Sequence, residues 1–276
     1  MYAFERQKCR PRVAPVVSGV SFDVIADSYD ATRALPPPLM EKAVRAVADA
    51  LGADGPVLEV GVGTGRFALP LRALGVRVVG VDIAPRMLAL ARGKGCGDLF
   101  RASALRLPFR DGAFRASTAI HVLHVIAAWR DALHEVARVT RERFVTLFET
   151  IETRPAGGGT AWRAHGPGAA FPMSRYQELV RPRGYGHAHP GVRPPDLVAA
   201  APPDFRATVG THAATVTGEE LLASVADKTN SSQWHVPEDV HRAVIAELEP
   251  ELRGGRFERT WTLEVVAWSP ASLRHL

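Results

Sequence analysis

Apolar positions along the chain switch between two rhythms. Val57-Leu58-Glu59-Val60 is a short, nearly unbroken apolar run of the kind a strand buried on both faces shows, and it ends in Gly61-Val62-Gly63-Thr64-Gly65. Phe67, Leu69, Leu71 and Leu74 follow in a helical pattern that Gly75 stops. Residues 76–81 predict a second strand closed by Asp82, and Met87, Leu88, Leu90 and Ala91 then recur at helical spacing. Next come a strand near Leu99-Phe100-Arg101, a turn over 107–112 and a buried strand over 116–120. An amphipathic helix from Trp129 to Val139 and a fifth strand over 144–148 complete this part. Ahead of it, Pro36-Pro37-Pro38 introduces a helix from Leu39 to Leu51. This alternation predicts an α/β fold with a Rossmann-like, doubly wound, mostly parallel sheet.

The rhythm lapses after Glu152. The next fifty residues carry Gly157-Gly158-Gly159, many prolines and one short helical stretch over 174–180, which reads as a lid or insertion. Strand-like alternation returns over 208–217. A helix opens at Gly218-Glu219-Glu220, another spans 237–248, and a closing strand runs over 260–268.

Composition narrows the class. With 276 residues, 46% of them hydrophobic, the chain has ample apolar surface to offset its ordering entropy, which excludes disorder. No run approaches the roughly 20 apolar residues that span a bilayer. No apolar segment follows Met1 to Lys8, so no secretory signal is read. Cys9 and Cys96 are too few for a framework of bridges, and a reduced cytoplasmic setting is expected. The net charge of +5 invites a polyanionic partner. Yet 34 − 4 = 30 of the positive residues are arginine, scattered among abundant Ala, Gly and Pro, which reads as the codon bias of a GC-rich genome.

The glycine loop carries the chemistry. Glycines after a buried strand and before a helix allow a tight turn and leave room for a ligand against bare amides. Asp82 ends the next strand, where it can accept both hydroxyls of a ribose. A dinucleotide fingerprint is G-x-G-x-x-G; here the spacing is G-x-G-x-G, with the acid Glu59 inside the strand. A carboxylate beneath the loop suits a cationic ligand better than a pyrophosphate, which disfavours a nicotinamide dehydrogenase. A glycine-rich turn without ligand is the plain alternative.

Residues 57–67 resemble the S-adenosylmethionine (SAM) loop of class I methyltransferases, closest to the small-molecule methyltransferases of the ubiquinone/menaquinone-biosynthesis type (methyltransferase type 11). Residues 22–30, 79–88, 107–109 and 122–124 resemble, in order, that family's N-terminal cover, its ribose-binding strand and helix, and the segments around its fourth strand. The resemblance implies a seven-stranded sheet with the last strand antiparallel, in a single domain over 1–276. Its parts would be a cap segment (1–38), a SAM-binding core (39–152), a lid for the acceptor (153–204) and C-terminal elements that complete the sheet (205–276). It also implies roles. Gly61, Gly63 and Gly65 would approach the methionine moiety and ribose, and Glu59 the amino group. Asp82 would hold the ribose, Ile83 and Met87 would sandwich the adenine, and Ala104 and Leu105 would offer it backbone. Tyr29 would cover the methionine end, with His121 close to it. Ser103 stands where the family usually has an acid, Arg115 where an Asp is common, and Arg141-Glu142-Arg143 where Gly-Gly is usual.

Methyl transfer from a sulfonium is a direct displacement, so proximity and alignment supply much of the catalysis and a base is needed only when the acceptor must lose a proton. His124, after strand four, is a candidate to face the acceptor, and His165 with Trp162 in the lid a candidate to cap it. His121 reads as a cofactor neighbour, and Glu149 and Glu152 as solvated carboxylates ending strand five. His212, Trp234 and His235 are further pocket candidates, Trp234 equally a core residue. His187-x-His189 lacks a third ligand, so no metal is expected. The expected function is SAM-dependent transfer of a methyl group to O, N or C of a small-molecule acceptor, leaving S-adenosyl-L-homocysteine (SAH). The partner would be that acceptor, with neither nucleic acid nor membrane, in a monomer or homodimer. The alternatives are an RNA (tRNA) methyltransferase, which lacks an appended RNA-binding module, and a non-catalytic SAM-fold binding protein.

Overall fold

The computed structural model describes residues 22–52, 54–165, 170–185, 189–228 and 230–276, together with every side chain in them except those of Ala164 and His165. Cys9 and His187 lie outside these residues. The strand β1 (Val57–Val60), buried at all four positions, pairs in parallel with β2 (Val78–Asp82) and β4 (Phe114–Thr118). β3 (Leu99–Arg101) lies outside β2 and β5 (Thr140–Pro155) outside β4, both parallel. Beyond β5 the long strand β8 (Arg256–Trp268) runs antiparallel between β5 and β7 (Phe205–Thr217). The order is β3-β2-β1-β4-β5-β8-β7.

The expected strand order along the chain is present, with one addition. β6 (Trp162–His165) pairs antiparallel with β5 inside the stretch read as irregular lid, making eight strands. β5 also runs to Pro155 rather than ending at Phe148, because β8 matches it from Phe144↔Trp268 to Pro155↔Phe257. Glu149, Thr150, Glu152 and Thr153 hide this extension in the sequence, since their enclosure comes from β6 and β8 and not from an apolar run.

Helices cover both faces. On one, α2 (Pro37–Leu51), α3 (Ala68–Ala73) and α4 (Pro85–Gly93) bury Leu39, Val47, Leu71 and Leu88 against Val57, Val78, Val145 and Val265. On the other, α5 (Trp129–Val139), α7 (Pro194–Ala200) and α10 (Pro270–Leu273) bury Leu133, Val136, Leu197 and Leu273 against Leu58, Val60, Phe144 and Trp268. Each such side chain, fully buried, stabilises by about 1.5–3 kcal/mol relative to exposure. A third core joins α6 (Met173–Val180), α8 (Gly218–Ala226) and α9 (Glu238–Leu252) through Tyr176, Val225, Val244 and Leu248. The stretch 153–204 is therefore divided: β6 extends the sheet, α6 belongs with the C-terminal helices, and α7 belongs to the main core.

Two departures from the family pattern compensate one another. Arg115 Nε donates to Glu142 Oε2 at 2.9 Å, and Arg143 donates to the Ala50 carbonyl at 3.1 Å. Among the described residues no helix is long and apolar enough to cross a membrane.

Candidate active site

Parallel sheets place ligands at the carboxyl ends of their strands, where the chain order reverses. Between β1 and β4 this edge carries two cavities that share Phe22, Tyr29, His121 and Val122.

The first cavity is lined by Gly61, Gly63, Asp82, Ile83, Met87, Ser103, Ala104 and Leu105. Gly61 and Gly63 have φ of +72° and +55°, which L side chains rarely adopt, and a Cβ on Gly61 would stand 2.6 Å from Val122 Cγ2. Asp82 accepts the Gly63 N–H on Oδ2 (2.8 Å) and the Ala84 N–H on Oδ1 (2.9 Å), which aims its carboxyl along the loop. Burial raises its pKa against those bonds. Ser103 accepts the Leu105 N–H (3.2 Å).

Two residues expected at the cofactor are not on this wall. Gly65 packs toward Leu69 and Ala91, where it lets α3 approach α4. Glu59 lies beneath the loop, 3% exposed, with Oε2 lacking a hydrogen bond. Burial, then the charge of Asp82, pushes its carboxyl up to about 8.

A strap formed by the residues whose resemblance implied an N-terminal cover borders this cavity. The turn Phe22–Ile25 and α1 (Tyr29–Thr32) lie across it. Arg86 donates its N–H to Asp23 Oδ1 (2.9 Å), Nη1 to the Asp23 carbonyl (3.1 Å) and Nη2 to Asp27 (2.7 Å). Asp30 accepts from Thr64 Oγ1 and from Lys94 Nζ. Tyr29 is thereby held over the junction, edge-on to Phe22, which in turn meets Trp234 at 5.3 Å.

The second cavity is lined by Arg33, His124, Phe148, Glu149, Val192 and Leu197, among others. Gly191 donates to the His124 carbonyl (2.9 Å), and a Cβ there would stand 2.0 Å from the Leu123 carbonyl oxygen. Only glycine admits that approach, which sets His189 edge-on to His124 at 4.8 Å. Burial, then His189, lowers His124 to about 3, so the imidazole is neutral. His121 takes φ +57°, a strained value for a side chain of this size. Neither of its ring nitrogens is hydrogen-bonded, and burial holds it well below the usual histidine range.

The sequence reading of Glu149 is corrected. It is a mid-strand residue 4% exposed, enclosed by β8 and the loop after β4, and not a solvated end; Glu152 does face outward, paired with Arg163. His165 ends β6 opposite Thr150, its side chain outside the described set, while Trp162 stacks on Phe171 at 4.1 Å in the third core. His212 contacts Trp261 on β7 and β8, and His235 meets the Tyr185 carbonyl; neither lines either cavity. Among the described residues no group of three metal-ligating side chains converges.

Residues 58–145 match the family model described as a methyltransferase domain. A demethylmenaquinone methyltransferase of Thermus thermophilus is 44% identical over 90 residues, 30% of this chain and 41% of the relative. A malonyl-[acyl-carrier protein] O-methyltransferase of Serratia marcescens is 32% identical over 151 residues, 52% of this chain and 56% of the relative. The chain thus spans about half the length of the curated relatives it matches, or less. The crystal structure of the YcgJ protein from Bacillus subtilis superposes with a TM-score of 0.50 over 84% of this chain and 98% of its own, at 17% identity, a likeness of fold. Residues 58–145 thus match the methyltransferase-domain model, within a chain whose α/β fold is Rossmann-like and similar to that of the YcgJ protein.

Proposed function

We propose that the protein is a SAM-dependent methyltransferase that alkylates a small molecule held in the second cavity. One observation carries the reading: two cavities meet at His121, Val122, Phe22 and Tyr29, one floored by the glycine loop and Asp82, the other by apolar and titratable side chains. Such a junction lets a donor and an acceptor be held end to end, which turns a bimolecular displacement into an intramolecular one.

The residues fit the cofactor. The glycine cradle would be filled by any Cβ on Gly61, and Oε2 of Glu59 beneath the loop has no hydrogen bond, which leaves an acceptor that an ammonium group above the loop would ionise. When bound, SAM supplies a methyl group already activated on a sulfonium sulfur. The chain's part is to orient and to exclude water. Asp82 holds the ribose, Ile83 and Met87 flank the adenine, Ser103, Ala104 and Leu105 meet its edge, and Tyr29 shields the methionine end. The acceptor is a small molecule carrying a nucleophilic O, N or C.

Calorimetry with SAM and SAH tests the reading. Asp82→Ala should weaken both by roughly 1–3 kcal/mol, the scale of a lost hydrogen bond to a charged group. Gly63→Arg should abolish binding, since it forces a side chain into a left-handed position against Met87. Unchanged affinity in both variants would contradict the assigned site.

A further inference from the structure

Glu149 stands in β5 opposite Leu263 of β8. It lines the acceptor cavity, is 4% exposed, and its Oε2 makes no hydrogen bond. A buried carboxyl oxygen without a hydrogen bond is costly. Two positions away on either side, the chain places Leu147 and Ile151, so an apolar residue would serve the strand better.

The groups that face it come from four places. His121, after β4, brings Nε2 to 3.6 Å from Glu149 Oε2. Arg33 follows α1, Arg66 precedes α3 and Arg259 lies on β8, and all three guanidinium groups act on its charge. Burial nevertheless pushes the carboxyl up to about 7, the range in which a proton acceptor works at neutral pH. His121, held neutral, adds no charge to offset it. Because His121 borders both cavities, a group reaching from the acceptor cavity toward the donor passes Glu149.

We propose that Glu149 is the proton acceptor for a phenolic hydroxyl whose ring lies against Phe148, Val192 and Leu197. The inference rests on the methyltransferase reading above. In the step, the phenolic oxygen forms a bond to the methyl carbon as the bond from that carbon to sulfur breaks. The electron pair of the broken bond stays on sulfur, which passes from sulfonium to thioether, and the hydroxyl proton moves to the Glu149 carboxylate. His121 is a positioning residue that bounds the carboxyl on the cofactor side. A phenol suits the site because its ring matches the apolar walls and its acidity (about 10 for tyrosine) lies near enough to that of Glu149 for transfer.

The test compares wild type and Glu149→Gln on simple phenols and catechols and on nitrophenols already ionised at the assay pH. Methyl ethers are measured by mass spectrometry and SAH affinity by calorimetry. Wild-type kcat/KM on a simple phenol should rise with pH through about 7. Glu149→Gln should lose about 100-fold or more in kcat on simple phenols, with KM little changed and that acid limb gone. On the nitrophenols, which need no base, the loss should fall below about 10-fold. SAH affinity should be unchanged, and Glu149→Asp should recover part of the activity with its acid limb. Equal losses on both series, or an acid limb kept in Glu149→Gln, overturn the inference. A wild type that binds SAH yet methylates neither series overturns it too and leaves the methyltransferase reading standing. A wild type that does not bind SAH overturns that reading instead.

Discussion

Glu59 shows how burying a single carboxyl makes stability depend on pH. Its carboxyl is raised from 4.5 to about 8 in the fold, chiefly by burial. Below the unfolded value both states are protonated and nothing is lost. As pH rises from about 4.5 toward 8 the unfolded chain ionises while the fold holds its proton, so stability falls across that window, by a few kcal/mol at most. Glu59→Gln should therefore raise the urea midpoint of the ligand-free protein more at pH near 8 than at pH near 5 and, on the proposed function, weaken SAH binding, because an ammonium group above the loop would ionise the carboxyl beneath it and a glutamine cannot answer that charge. Equal gains at both pH values would sink the first part; unchanged SAH affinity would sink the second. The glycine spacing and Asp82 made the loop legible in the sequence. The burial of Glu149 was not, because four residues around it are polar and its enclosure is supplied by a strand more than a hundred residues later.

At the scale of elements, the strap over the first cavity is held by polar contacts and by one small apolar cluster, in which Ala26, Phe22 and Tyr29 pack against Ala84 and Met87. Arg86 makes three bonds to residues 23–27, and Asp30 bridges to Thr64 and Lys94. Exposed ion pairs each contribute about 0–1 kcal/mol, so the strap is a locally weak unit on a stable body. Arg86→Ala should weaken SAH binding several-fold while moving the melting temperature by no more than about 2 °C, read by calorimetry of both kinds. A large drop in melting temperature with SAH affinity intact would show instead that the strap is part of the folding core. Helix α8 owes its start to a capping box, in which Thr217 and Glu220 satisfy each other's backbone N–H groups. That signal was readable as an opening near Gly218. The strap was legible only through the resemblance of residues 22–30, since a helix of four residues has neither period nor moment, and its contacts to Arg86, Thr64 and Lys94 were not legible at all.

Across the whole molecule, β8 is the seam. It pairs with β5 and β7 along nearly its whole length, and Trp268 at its end is fully buried with its indole N–H on the Ala201 carbonyl (2.7 Å). That one side chain joins β8 and Phe144 to the end of α7, the element that brings Leu197 to the second cavity. Trp268→Ala should cost about 3–5 kcal/mol, seen as a lower denaturant midpoint, and should impair acceptor turnover more than SAH binding. A loss confined to SAH binding would contradict that assignment.

The sequence alone determined the alternation of strands and helices, the glycine loop, the acid that closes β2 and the family likeness over the first half of the sheet. These are local: apolar periodicity, a left-handed turn and a carboxyl at a strand end are each specified by a handful of adjacent residues. Only the tertiary structure decided that 153–204 is shared among a strand, a helical core and the main core, that His124 meets His189, and that Glu149 is buried beside His121. Each of these depends on which distant segments cover a residue, and burial, which moves a carboxyl from ordinary to near-neutral ionisation, is a property of the neighbours and not of the residue.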